Sequence, residues 1–196
     1  MDEQVLQALR KWPNVSACFG WLALDARGQW RMRDAAAQTA GLPGDVIRHD
    51  ALNGFINRNY AQELAGPYAG AWFFQNGPQK VYVDLAYAPW VLRWHAVSAT
   101  PLTTHTGLVA TAQAAWLDES GNLLLQTEHG VGLLHDLDLV MLADYLVPIE
   151  GENQAAPKVM TNLPAWRLHL PDQTLTVQTL QRAQAAAQFG WLNQPR

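Results

Sequence analysis

The sequence predicts an α+β fold made by internal duplication of a hairpin–helix–hairpin unit, with antiparallel sheets and helices packed on one side. Three paired landmarks predict it. Ala71-Trp72 opens a segment that runs to Gln79, Val81 and Val83, and Ala165-Trp166 opens one that runs to Gln173, Leu175 and Val177, 94 positions later. Asp25-Ala26-Arg27-Gly28 returns as Asp118-Glu119-Ser120-Gly121, a shift of 93. His49-Asp50 precedes a helix-like run reaching Tyr60, as His135-Asp136 precedes one reaching Tyr145. A period this long exceeds a solenoid repeat and suits two fused subdomains.

The elements follow in order. Val5, Leu6, Leu9 and Trp12 form a helical stripe that Pro13 ends, so residues 1–14 are read as an N-terminal helix. Residues 15–98 are read as the first repeat. In it, Val15 to Leu24 and Trp30 to Met32 flank a turn whose Gly28 tolerates positive φ. Gly44-Asp45 offers an N-cap for a helix carrying Ile47, Ala51, Leu52, Phe55, Ile56, Tyr60 and Leu64 at three- and four-residue spacings. A meander of three strands is expected over 70–75, 80–85 and 89–97, turning at Asn76-Gly77-Pro78-Gln79.

Polar residues around Pro101 place a seam at 99–105. The second repeat, 106–196, is expected to hold hairpin strands at 108–117 and 123–128, and a helix at 136–147 apolar enough to be largely buried. A last hairpin is expected at 166–170 and 174–177, followed by an Ala/Gln-rich stretch that suits either a terminal helix or a continued strand. Residues 148–164 form a connection long enough to be a lid, a binding loop, a disordered segment or a plain surface loop.

Composition narrows function by exclusion. The 196 residues are 49% hydrophobic and 15% charged, with net charge −4 and three lysines. So few cations argue against a phosphate-tracking nucleic-acid surface. The low charge leads us to expect a homodimer with some apolar surface buried between subunits. Arg27, Arg31 and Arg33 are the one local basic cluster and are read as a solvated strand face. Cys18 is the single cysteine, so no intramolecular disulfide exists, and it is read as a small core side chain. No apolar run of 18 residues and no basic-then-apolar leader is present, so no membrane association is expected and the cytoplasm is the expected compartment.

Six histidines stand without metal-ligand spacing, and no nucleotide-binding glycine motif or nucleophile elbow occurs, so neither metal nor cofactor is expected. His135-Asp136-Leu137-Asp138 is read as a capped helix start. Trp30, Trp72, Trp90 and Trp94 share faces with apolar residues and are read as core. The candidate ligand residues are His49, Arg58, Asn59, Tyr60, Gln75 and Asn76, because a buried Asn on the helix edge needs partners that the next hairpin supplies. Those bonds either fix the helix on its sheet or surround a small polar molecule.

Leu24-Asp25-x-x-Gly28-x-Trp30, Phe55-Ile56-x-Arg58-Asn59-Tyr60, Phe74-Gln75-Asn76-Gly77-Pro78-Gln79-x-Val81-x-Val83 and His105-Thr106-Gly107 together resemble a family of uncharacterised bacterial proteins. The resemblance spans most of the chain and implies no assigned activity. The reading is a non-catalytic ligand-binding or protein-interaction module with a groove between two similar halves. Its alternative is an enzyme or sensor acting on a small polar molecule near Asn59, Tyr60 and Gln75.

Overall fold

The computed structural model describes residues 1–95, 102–149 and 166–196. Residues 96–98 of the expected first repeat, 99–101 of the seam, 150–164 of the long connection and Ala165 lie outside the described residues. The chain forms two compact units, Met1–Pro89 with Ala186–Arg196, and Trp90–Ala185. The fold is α+β, with two mixed sheets and few helices.

In the first unit, α1 (Glu3–Lys11) precedes β1 (Cys18–Leu24), β2 (Trp30–Met32), α2 (Ala35–Thr39), β3 (Asp45–Val46), α3 (Asp50–Arg58), β4 (Tyr60–Gln62), β5 (Trp72–Asn76) and β6 (Gln79–Leu85). The sheet order is β3-β2-β1-β6-β5-β4. The turn between β1 and β2 is built by Asp25, whose Oδ1 accepts from the Arg27 and Gln29 amides, while Gly28 takes φ 77°. Two-residue alternation sorts the side chains. Leu22, Leu24, Trp30, Met32, Phe74, Val81 and Val83 share one face, as the pairs Leu22 with Met32, Leu24 with Trp30 and Phe74 with Val81 require. Phe55 of α3 meets Phe74 edge-on, and the Trp30 indole donates to Asn57 of α3 at 2.7 Å, so α3 lies on that face. The opposite face carries a separate cluster of Ala71, Phe73 and Tyr82 packed by Phe19 and Tyr68.

In the second unit, β7 (Trp90–Trp94), β8 (Leu102–Thr104), β9 (Ala114–Asp118), β10 (Leu123–Thr127) and β11 (Gly130–Leu134) precede α4 (Asp136–Leu142). A 3-10 turn (Ala143–Tyr145), β12 (Leu146–Pro148), β13 (Trp166–His169) and β14 (Thr174–Leu180) follow, and α5 (Arg182–Phe189) begins in this unit and ends in the first. The sheet order is β12-β13-β14-β9-β10-β11-β7-β8. Its core gathers Leu92, Trp94, Leu102, Ala115, Leu123, Leu125, Leu134, Leu142, Leu168 and Val177.

Several expectations are corrected. The sheets are not antiparallel throughout: β1–β6, β7–β11 and β9–β14 are parallel pairs. A strand that returns after a long connection can come back in the same direction, whether the connection holds a helix, as between β1 and β6 and between β9 and β14, or further strands, as between β7 and β11. The helix expected from Gly44 to Leu64 is confined to α3. Asn59 caps it, and Tyr60 pairs with Phe74 as a strand residue, its position four after Ile56 having satisfied both patterns. Gly44 lies just before β3 outside any helix, with φ 80°, where a Cβ would collide with the Met32 carbonyl oxygen. The third strand of the expected meander, β7, pairs in the other sheet with β8 and β11. The helix expected to be largely buried exposes Leu137 and Val140, at 63% and 75%, and buries Leu142. Trp30, Trp72, Trp90 and Trp94 are buried, as read from their faces. No helix of the described residues is long and apolar enough to cross a membrane.

The start of α4 is tied to β7. Asp138, 2% exposed, accepts from Arg93 Nε at 2.6 Å, Arg93 Nη2 at 3.2 Å and the Trp94 amide at 2.9 Å. Burial alone would push its carboxyl up, but the hydrogen bonds from Arg93 and Trp94 and the charge of Arg93 outweigh it and hold the pKa below the usual carboxylate value. A folded-state pKa lowered in this way stabilises the fold above the unfolded value and loses that contribution as pH falls through the folded one. Arg93 is half-exposed, so Asp138→Asn is expected to cost only about 2 kcal/mol in chemical denaturation at neutral pH. That gap between wild type and variant should begin to narrow as pH falls below about 4 and close only below the lowered folded-state pKa.

Candidate functional site

The six expected ligand residues are distributed along the first unit. Asn59 is buried, its Oδ1 accepting from the Asp2 amide at 2.8 Å and its Nδ2 donating to the Phe55 carbonyl at 2.9 Å. Its carbonyl accepts from the Gln75 amide. Gln75 is buried and donates from Nε2 to the Gly77 carbonyl at 3.0 Å. Tyr60 donates to the Pro89 carbonyl at 2.9 Å, and burial raises its hydroxyl pKa well above the usual phenol value. His49 caps α3, its Nδ1 accepting from the Leu52 amide at 3.2 Å. Arg58 is exposed and pairs with Asp2, whose carboxyl it holds below the usual range. Asn59, Arg58 and Gln75 therefore join the end of α3 to Asp2 and β5, and Asn76 lines a cavity.

That cavity is a cleft of about 280 Å³ between the sheet and α3, lined by Cys18, Trp21, Leu22, Met32, Leu52, Ile56, Phe74, Asn76, Gln79 and Val81. It exists because α3 is only nine residues long and covers part of the apolar face. The β1–β6 register slips between Cys18 and Leu22 around Gly20, whose φ is 77°, and this bulge brings Trp21 to the cleft. Trp21 and Met32 remain 44% and 45% exposed on its rim. The walls are apolar. Hydrogen-bonding capacity comes from the Trp21 indole and the Asn76 side-chain amide, neither of which bonds to a protein group among the described residues, whereas Gln79 is held by the Ser16 carbonyl at 3.0 Å. A wider depression of about 580 Å³ beside α2 is lined mainly by Ala, Leu, Pro and Gly and offers no comparable enclosure of aromatic walls.

The opposite face of the same sheet carries charged side chains beside its aromatic cluster. Arg31, Arg33 and Asp84 line a second cavity of about 160 Å³ with Asp25, Leu42 and Gln194. Arg33 is buried and paired with Asp84, which also receives both terminal nitrogens of Arg196, at 2.8 and 3.0 Å. The hydrogen bonds to Asp84 outweigh desolvation and raise the Arg196 pKa above its usual value. Arg31 bonds Asp25 at 2.7 Å. The solvated strand face expected for this cluster is therefore corrected at Arg31 and Arg33: Asp84, on the buried strand β6, draws Arg33 inward. An acid between Val83 and Leu85 in an apolar strand was the signal for it, since a buried carboxylate needs a cation.

No acid–base pair emerges nearby. Glu63 accepts from Lys80 and from the Tyr82 hydroxyl, and burial with the adjacent carboxylate pushes the Tyr82 pKa up to about 12. Tyr82 therefore stays a neutral donor at physiological pH. Among the described residues no group of three metal-ligating side chains is gathered. Asn59→Ala should lower stability by roughly 2 kcal/mol in urea unfolding, by leaving the Asp2 amide and the Phe55 carbonyl without their side-chain partner. It should leave the cleft's apolar walls unchanged.

Comparisons with known proteins follow this geometry. A crystal structure of a DUF1285 family protein from Silicibacter pomeroyi DSS-3 is similar in fold, with TM-score 0.53 and 13% identity over 92% of this chain and 97% of that chain. A second DUF1285 family protein, from Shewanella baltica OS155, aligns with TM-score 0.43 and 14% identity over 63% of this chain and 91% of that chain. No curated protein matches. The DUF2944 family model, described as "Protein of unknown function (DUF2946)", matches residues 1–196, and the chain belongs to this family of unknown function.

Proposed function

We propose that the chain is a non-catalytic binding protein built from two copies of one sheet-and-helix unit, and that the cleft under α3 takes a small molecule with an apolar body and a hydrogen-bonding end. The duplication is supported by register. Leu22 pairs with Val83 and Met32, as Ala115 pairs with Val177 and Leu125. Phe74 pairs with Tyr60, as Leu168 pairs with Leu146. His49 and His135 cap α3 and α4 through Nδ1. Asp118 builds its turn as Asp25 does, accepting from the Ser120 and Asn122 amides.

One observation carries the ligand reading. The position in the second unit that corresponds to the cleft, lined by Ala112, Leu125, Leu170 and Gln173, is narrowed to about 130 Å³ by Trp94, Leu102, Val109 and Ala110. Gln173 bonds the Ala112 carbonyl there, as Gln79 bonds Ser16. Trp94 and Leu102 belong to β7 and β8, strands with no counterpart in the six-stranded sheet. The first unit keeps open, with an exposed Trp and Met at its rim, what the second fills with its own side chains. Burial of apolar surface at about 25 cal/mol per Å² favours an occupant. The internal hydrogen bonds of Asn59, Tyr60 and Gln75 weigh toward this cleft over a polar pocket built from those residues.

Cys18, half-buried in the cleft wall, serves as a native reporter. With 1-naphthol as probe, alkylation of Cys18 is expected to slow by about tenfold, as occupancy by a micromolar ligand requires. Leu52→Trp, which fills the cleft, should abolish the protection. Equal protection in that variant, or none in the wild type, would remove the reading.

The homodimer expected from low charge has support in α4, where Leu137, Val140 and Met141 are exposed together. If that strip joins two copies, Val140→Lys should halve the mass seen by light scattering, and an unchanged monomeric mass in the wild type rules it out.

A further inference from the structure

The arginine cavity on the other face of the first sheet has a geometry that the fold does not use up. Arg31 is fixed through Nε to Asp25 at 2.7 Å and through Nη1 to the Gly44 carbonyl at 3.0 Å. Arg33 is fixed through Nε to the Leu42 carbonyl at 3.0 Å and through Nη1 to Asp84. In both guanidinium groups the second terminal nitrogen, Nη2, donates to no protein group among the described residues, and both side chains line the same 160 Å³ cavity. Asp84 is occupied twice, by Arg33 and Arg196, so the ion pairs set three guanidinium charges against two carboxylates, Asp25 and Asp84.

We propose that this cavity is a binding site for a small oxyanion, a phosphate or carboxylate group held between Arg31 and Arg33. A guanidinium presents its donors in a planar fork matched to oxyanions, and its affinity rises when the fork is held in place before binding. Here each fork is anchored at two of its three nitrogens, so little side-chain freedom remains to be lost. The cavity has room for one such group, a few water volumes at about 30 Å³ each. The residual positive charge is partly shielded from solvent by the burial of Arg33 and Asp84, where electrostatic attraction is stronger than at an open surface. This site is independent of the cleft under α3 and lies on the opposite face of the sheet.

The test titrates the full chain with inorganic phosphate at constant ionic strength, followed by the thermal midpoint and by broadening of the ³¹P resonance. Phosphate is expected to raise the midpoint. Arg31→Gln, at a partly exposed position where folding is retained, should weaken phosphate binding by about tenfold, the loss of one charge-assisted hydrogen bond. Arg10→Gln, an exposed arginine of α1, should leave binding as it was. Acetate in place of phosphate separates the two sources: a rise with acetate assigns a carboxylate ligand, and a rise with phosphate alone assigns a phosphoryl group. No rise with either anion, or an equal rise in Arg31→Gln, overturns the proposal.

Discussion

The parallel pairing of β1 with β6 is the constraint on which the first unit depends. Parallel neighbours cannot be joined by a tight turn, so the chain must leave β1, build β2, β3, α3, β4 and β5, and only then return as β6. That route puts α3 across one face and leaves the other to be closed differently. The two faces diverge in chemistry as a result. The α3 face is aromatic and aliphatic, and the opposite face adds Arg31, Arg33, Asp84, Lys80 and Glu63 in paired form to its cluster around Phe73 and Tyr82. Alternation along β6 carries this division: Val81, Val83 and Leu85 face one way, Tyr82 and Asp84 the other.

Local chemistry was legible in the sequence where a short segment decides its own structure. The Asp25–Gly28 turn, the burial of Trp30, Trp72, Trp90 and Trp94, and the helix following His49 all rest on neighbours within a few residues. What sequence reading missed depends on distant partners. Nothing near Trp90 says that β7 will pair with Gly132 to Leu134 rather than with β6. Tyr60 fits a helical stripe as well as a strand, and the decision is made by Phe74 across the sheet. Arg31 and Arg33 alternate as a solvated strand would, and only Asp84, more than fifty residues on, turns one of them inward. The cleft was unreadable for the same reason: Trp21 and Met32 look like ordinary core residues until the shortness of α3 leaves them uncovered.

Asp84 and its two arginines also bear on what the charged face is for. Replacing a buried ion pair by apolar residues of similar size is often neutral or stabilising, so stability alone does not favour this arrangement over a leucine or methionine pair. The second unit gives an internal contrast. On the proposed duplication, Gln178 stands at the register position of Asp84, and Leu124, which is fully buried, at that of Arg31. Six strands of the second sheet then follow the order of the first and form without the cluster. On that proposal, the charges of the first unit are not what the strand arrangement itself requires.

The same contrast applies to the apolar face, with the opposite outcome. There the second unit adds β7 and β8 and closes over its sheet with Trp94 and Leu102, both nearly inaccessible, while the first leaves Trp21 and Met32 open to solvent. Exposed aromatic and thioether groups in a cavity cost hydration free energy that a single further side chain would recover. On the proposed duplication, one copy satisfied its apolar face internally and the other retained both an open cleft and a set of unneeded charges. On that proposal, features that cost stability in one copy and are missing from the other are where binding function is to be sought.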